Sequence, residues 1–254
     1  MRIAPEDESF AAAGAPSDGP RIGVLLCHGF TGGPSSMRPW AEYLNEQGYA
    51  VSAPRWPGHG TSWQDLNLHT YADWYGDAER AFEKLQSDCD QVFVGGLSMG
   101  GCLALNLAIE KGRDVAGVVL VNPAVNSTRM DVKLLPVMKH VVPAMPGISN
   151  DVKNPEVRER AYTKTPLKAA HSMFGGFKSV RERLPEVTQP LLLFRSRVDH
   201  VVDPSSARII MSTVSSRDVE ERILEDSYHV ATIDNDCGVV FTVSADFIGR
   251  IAAG

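Results

Sequence analysis

Apolar runs of strand length recur along the chain at 22–27, 49–53, 92–97, 115–121 and 191–194, with a more polar one at 219–224. Segments of helical periodicity lie between most of them. The run IGVLLC (22–27) is apolar without alternation, which fits a strand covered on both faces rather than one with a wet side. Such strands, separated by helical stretches at 39–47, 71–86 and 98–110, predict an α/β fold: a mostly parallel sheet with right-handed crossovers and helices on both faces. Thr70 and Asp73 form a capping pair ahead of the second helix, and a last helix is expected over 239–251.

Between 121 and 190 the alternation stops, and roughly seventy residues without a core strand are too many for a structureless loop. The stretch reads as an inserted cap, 126–186, interrupting a core of 21–125 and 187–254. Its prolines at 136, 143 and 146 call for short helices or turns. Residues 1–20, rich in Ala, Gly and Pro, read as a loosely held N-terminal arm with an edge strand near Phe10.

Composition narrows the partners. The 254 residues are 43% hydrophobic and 22% charged, as in ordinary globular chains, and carry a net charge of -6. That balance disfavours nucleic acid or an anionic membrane surface as a partner held by bulk electrostatics. The start, MRIAPEDESF, lacks the apolar stretch of a secretory signal, and no run approaches the ~18 residues of a membrane span. The four cysteines are scattered, with no zinc-type spacing, so free thiols in a cytoplasmic protein are expected, with no metal and no cofactor.

The chemistry concentrates in VFVGGLSMGG (92–101), where Gly96, Ser98 and Gly100 make G-x-S-x-G between a strand and a helix. This is a nucleophile elbow: the serine sits on a sharp strained turn, its hydroxyl projecting at a helix N-terminus whose N–H groups favour developing negative charge. A serine hydroxyl needs a general base, and in this architecture the chain order is Ser, acid, His. Of the seven histidines, His28, His59 and His69 come too early, His140 and His171 lie in the insertion, and His200 directly follows the best acid. His229, beyond the last strand, remains. Asp199, on the loop after 191–194, is the preferred acid. Asp203 reads as a helix cap, and Asp226 and Asp234 lie close to His229 in sequence. Backbone N–H groups of Met99 and of Phe30, in the Gly-rich LLCHGFTGG (25–33), are the expected oxyanion donors, with His28 bracing that loop by hydrogen bonding. Trp56, Trp63, Trp74 and Tyr75 read as structural or rim aromatics.

HGFTGG (28–33), APRWPGHG (53–60), GLSMGG (96–101), RVDHVV (197–202) and DSYHVAT (226–232) together resemble α/β-hydrolase serine esterases, more narrowly the bacterial carboxylesterase and monoacylglycerol lipase group. NPEVRERAYTKTP (154–166) is similar to that group's cap. The resemblance implies an eight-stranded sheet where six strands are legible, the missing pair being assigned to an N-terminal hairpin. It also implies that Glu159 recognises glycerol hydroxyls. Met138, Val142, Met145 and Ile148, with Leu134, Leu135, Val137 and Val141, supply an apolar cap surface suited to packing on the core or to lining an acyl channel, and to transient contact with lipid.

The expected activity is hydrolysis of monoacylglycerols or short- to medium-chain carboxylic esters by Ser98, His229 and Asp199 through an acyl-enzyme. The same residues would serve a general carboxylesterase, thioesterase or lactonase. A non-catalytic ligand-binding protein of this fold is disfavoured, since a binder has no need of all three. Oligomeric state is left open.

Overall fold

The run IGVLLC forms β2 (Ile22–Cys27) in the interior of the sheet, in a computed structural model that describes residues 3–16 and 19–254 and, of Met130 and Asp131, the backbone alone. Residues 1, 2, 17 and 18 of the N-terminal arm lie outside the described residues. The other strands of the main sheet are β1 (Phe10–Ala12), β3 (Ala50–Ala53), β4 (Gln91–Leu97), β5 (Val115–Val121), β8 (Leu191–Ser196) and β9 (Val219–Leu224). Their order is β1-β3-β2-β4-β5-β8-β9, parallel throughout except β1, which runs antiparallel to β3. All six legible strands are present. The edge strand at Phe10 makes a seventh, a single strand rather than the expected hairpin, and the sheet has seven strands among the described residues rather than eight.

Successive side chains of β2 divide between two cores. Leu25 and Cys27 join one with α3 (Tyr71–Asp88) and α4 (Met99–Lys111); Val24 and Leu26 join the other with α1 (Arg38–Glu46) and α8 (Cys237–Ala252). With both faces covered, alternation disappears from the sequence. The polar look of 219–224 has the opposite cause, because β9 is the sheet's outer edge and only Leu224 is fully buried there. The one-turn helix α2 (Trp63–Leu66) precedes α3, at whose start the capping box between Thr70 and Asp73 is formed.

The chain reverses direction across the sheet between β2 and β4: the connection after β2 leads to β3 on one side, that after β4 to β5 on the other. A crevice opens where two such connections part, beyond the C-terminal strand ends. It is kept narrow by contact between α4 and β2. A Cβ on Gly100 would stand 1.9 Å from the Cys27 carbonyl oxygen, and one on Gly96 would stand 2.2 Å from the Gly100 oxygen.

Residues 122–190 contain no core strand, as expected. They hold the short helix α5 (Met130–Met138), with Pro136 inside it, a two-stranded antiparallel sheet of β6 (Ala144–Pro146) and β7 (Lys164–Pro166), and α6 (Leu167–Arg183). Helix α6 buries Ala169, Met173, Phe177 and Val180 in the same core as α3 and α4. What stands over the crevice is therefore mainly 127–166.

Among its described residues the N-terminal arm is anchored at Asp7, which its composition does not suggest. A 3-10 turn, Pro5–Asp7, buries Asp7, whose carboxylate accepts from Ser35 Oγ (2.8 Å) and pairs with Arg160 Nε (3.2 Å). A buried carboxylate with two such partners is a strong anchor that residue content alone does not reveal.

Gly100→Ala is expected to cost about 3 kcal/mol or more, a Tm decrease of about 6–12 °C, because the methyl meets backbone that cannot move aside. Gly175→Ala in α6, where a Cβ would meet nothing within 4 Å, is expected to stabilise by about 0.5–1 kcal/mol. Thermal unfolding of the two variants checks the pair.

Candidate active site

Ser98 joins β4 to α4 at φ 57°, ψ -120°, a conformation an L-residue holds only under constraint. The constraint is visible: Ser98 N–H donates to the Val121 carbonyl (3.1 Å), and Ser98 O accepts from Gly101 N (3.0 Å) and Ala124 N (3.1 Å). The elbow is thus tied to the end of β5 and to the turn after it. Gly96 and Gly100 are required by the close backbone approach described above.

The loop after β2 is held by His28. Its Nε2 accepts from Trp56 N (3.2 Å), which leaves Nδ1 to donate to the Gly29 carbonyl (2.8 Å), while its own carbonyl accepts from Trp56 Nε1 (3.2 Å). Full burial lowers the ring's pKa to about 3, so it is a neutral splint and not a base. The Phe30 and Met99 N–H groups have no hydrogen-bond partner among the described residues. Both flank Ser98: Met99 opens α4, and a Cβ on Gly29, next to Phe30, would lie 3.4 Å from Ser98 Cβ. Trp56 and Trp74 are fully buried structural aromatics.

His229 and Asp199 meet from the loops after β9 and β8. His229 Nδ1 lies 2.8 Å from Asp199 Oδ2, with the side chains 7% and 8% exposed. Asp199 Oδ1 accepts from Val201 N and Val202 N, each at 2.8 Å. Burial alone would raise the Asp199 carboxyl, but the charge and hydrogen bond of His229 and the two backbone donors outweigh it and hold the group below the usual carboxylate range. Burial opposes charging of His229 as well, and the Asp199 carboxylate, with Glu159 and Asp151 behind it, outweighs this and raises the ring's pKa. With Nδ1–H directed at Asp199, Nε2 is the nitrogen left to take a proton. Ser98 and His229 line the same cavity, and no hydrogen bond joins them in this structure among the described residues.

That cavity has a volume of about 380 Å³, within the range of small-molecule sites. Leu135, Met145, Leu167, Met173 and Phe174 give it an apolar wall; Asp151, Glu159, Asp199 and Asp203 are its acidic lining groups. Of the expected cap residues, Met145, Ile148 and Glu159 line it. Met138 and Val142 do not: they pack on a small cluster of Leu135, Leu167 and Ala170. Glu159 Oε1 lies against Gly32 of the loop after β2, 2.9 Å from where a Cβ would be. Asp203 behaves as a cap, its Oδ1 accepting from Ser205 N (2.9 Å) at the start of α7 (Ser205–Thr213). Among the described residues no group of three His, Cys, Asp or Glu side chains could hold a metal ion.

Two participants have no sequence signal. Asn122, at φ 44° after β5, donates from Nδ2 to Ser196 Oγ (2.9 Å) and the His229 carbonyl (2.8 Å), and accepts from Ser196 N (2.7 Å). Asp151 hydrogen-bonds the backbone of both His200 and His229. An Asn after an apolar strand and an Asp in a loop are too common to single out.

In a proton NMR titration the His229 ring is expected to titrate above the ordinary histidine value, while His28 stays neutral down to about pH 3 or until unfolding. Asp199→Asn removes the charge that favours imidazolium, so the His229 midpoint should fall.

A family model described as serine aminopeptidase, S33 matches residues 18–236. The chain is 40% identical over 231 residues to a thermostable monoacylglycerol lipase of Bacillus sp. (strain H-257), covering 91% of this chain and 92% of that one. It is 28% identical to a carboxylesterase of Bacillus subtilis (strain 168), over 90% and 92% of the two chains. A solved structure from the metagenome-derived lipolytic enzymes LipS and LipT superposes with a TM-score of 0.93 at 37% identity, covering 98% of this chain and 100% of the other.

Proposed function

Because the chain belongs to the serine aminopeptidase S33 family, with the α/β-hydrolase fold, we propose that it is a carboxylic ester hydrolase acting on monoacylglycerols or short- to medium-chain esters. The observation that carries the reading is the buried His229–Asp199 pair at 2.8 Å, in the loops beside a strained Ser98 and under an apolar wall.

In the proposed reaction Ser98 Oγ attacks the ester carbonyl as its proton passes to His229 Nε2. Asp199 keeps the ring in the Nδ1–H tautomer and stabilises the imidazolium. The oxyanion is held by the Phe30 and Met99 N–H groups, each such donor contributing about 3 kcal/mol. His229 Nε2–H then protonates the departing alkoxide. Water, deprotonated by His229, attacks the acyl-enzyme, and collapse returns the proton to Ser98 Oγ.

The acyl chain fits along Leu135, Met145, Leu167, Met173 and Phe174, and the glycerol hydroxyls fit toward Glu159. Burial first, then Asp151, raises the Glu159 carboxyl, with His229 opposing. We place the cap that confers this specificity at 126–186, its 127–166 part overhanging the cavity. The lipase reading over a general carboxylesterase is supported by Glu159 at the cavity wall and by the 40% identical relative. The four cysteines are free thiols, which supports action in the cytoplasm.

Ser98→Ala should lower turnover by on the order of 10⁶-fold and abolish fluorophosphonate labelling with the fold intact. A panel of monoacylglycerols, triacylglycerols and aryl esters should show preference for the first. Turnover of soluble aryl esters alone would reassign the protein as a general carboxylesterase.

Leu134, Val137, Val141 and Ile148 are 59%, 70%, 79% and 47% exposed, an apolar surface on and after α5 beside the cavity. Among the described residues no helix is long and apolar enough to cross a membrane. We assign this surface to transient contact with aggregated lipid. Val137→Ser with Val141→Ser should reduce turnover of micellar monoacylglycerol about tenfold while a monomeric ester is hydrolysed as before. Equal rates on both substrates would remove the lipid-contact role.

A further inference from the structure

Asp199 and His229 sit on loops after different strands, and the geometry of their pair depends on how those loops are held relative to each other. One carboxylate of the inserted segment holds both. Asp151, 9% exposed, accepts at Oδ2 from His200 N (3.1 Å) and from His229 N (3.2 Å), while Oδ1 pairs with His200 Nδ1 (2.7 Å). The first of these is the residue next to the acid and the second is the base itself. The Asp151 carbonyl also accepts from Val230 N (3.1 Å).

The contact is reciprocated. Asp234, in the His229 loop, accepts from Lys153 N (2.7 Å) and Asn154 N (3.0 Å) of the insertion and from Tyr228 N (2.9 Å) of its own loop. From there the segment runs across the crevice. Asn150 Oδ1 accepts from Glu159 N (2.7 Å), Arg160 pairs with Asp7, and Tyr162 N donates to the Thr31 carbonyl (3.2 Å) in the loop that carries Phe30. Residues 150–162 thus join the base loop to the oxyanion loop.

We propose that Asp151 is a positioning residue of the catalytic pair: a cap carboxylate that fixes the Asp199 and His229 loops against each other, so that the pair is held in register by the inserted segment. The proposal rests on Ser98, His229 and Asp199 being the catalytic residues. Asp151 acts through the His229 main chain and through its charge. The titratable groups facing His229 are Asp199, Glu159 and Asp151, with the half-exposed His200 ring on the far side of Asp151. A negative charge at 151 favours the imidazolium that forms during attack.

The test compares Asp151→Ala and Asp151→Asn in the full chain, with rates normalised to active sites titrated by a fluorophosphonate. Asp151→Ala frees both loops and should lower kcat on the order of 10²-fold with KM changed less than about twofold. Asp151→Asn keeps an oxygen acceptor for the two N–H groups but loses the charge. Its kcat should recover to within about tenfold of the parent, since position is largely kept. Its kcat/KM must also change with pH in a stated sense. Catalysis needs neutral His229, and loss of a nearby negative charge lowers the ring's pKa, so the acidic limb should move to lower pH. A kcat per active site within twofold of the parent for Asp151→Ala, or an unmoved limb for Asp151→Asn, overturns the proposal; if Asp151→Ala fails to fold, Asp151→Asn alone decides it. Ser98→Ala is run alongside. Inactive Ser98→Ala with unaffected Asp151 variants removes this proposal only, whereas turnover by Ser98→Ala removes the catalytic assignment beneath it.

Discussion

The contact between the first turn of α4 and the end of β2 sets the scale of everything at the sheet's C-terminal edge. Only hydrogen atoms separate Gly100 Cα from the Cys27 carbonyl, and a methyl there would stand 1.9 Å from the oxygen. That approach draws the helix N-terminus over β2, forces the left-handed turn at Ser98, and leaves the Met99 N–H beside the loop carrying Phe30. The strain at Ser98, on the order of 1–3 kcal/mol, is offset by burial of the mostly apolar α4 and by the bonds from Ser98 to β5 and its following turn. The positions of Ser98 and of the Phe30 and Met99 N–H groups, the proposed nucleophile and oxyanion donors, are thus set by backbone packing.

Side-chain electrostatics then act on a single ring. His229 is buried, which would keep it neutral, yet it faces three carboxylates: Asp199 in direct contact, Glu159 and Asp151 farther off. Two of the three come from the insertion. The imidazole is therefore sensitive to a part of the chain that a count of core strands and catalytic motifs leaves out.

Much of this was legible in the sequence. The unalternating run at 22–27, the G-x-S-x-G between strand and helix, and the order Ser98, Asp199, His229 are local patterns with local physical causes. Thr70 and Asp73 capped α3 for the same reason. What escaped depended on contacts distant in sequence. Asp7 reads as one of several acids in an Ala- and Pro-rich arm until Ser35 and Arg160 are seen on either side of it. Asp151 and Asn122 gain meaning only from loops that arrive later in the chain. The cap stripe divides in a way spacing does not reveal, because α5 ends at Met138 and no single helix carries it: Met145 and Ile148 line the cavity, while Met138 and Val142 face a small cluster beside it.

The strap at 150–162 divides the insertion into unequal kinds of structure. One portion, 127–148, presents Leu134, Val137 and Val141 to the exterior. The other is sewn by carboxylates and backbone amides to the loops that carry His229 and Phe30. On the proposed function, variation in the first portion, by substitution or by exchange of the whole α5 region, would alter which acyl groups fit without moving Ser98, Asp199 or His229. On that reading the chain separates a replaceable specificity module from a fixed reaction frame, with the junction at Ser149 and Asn150.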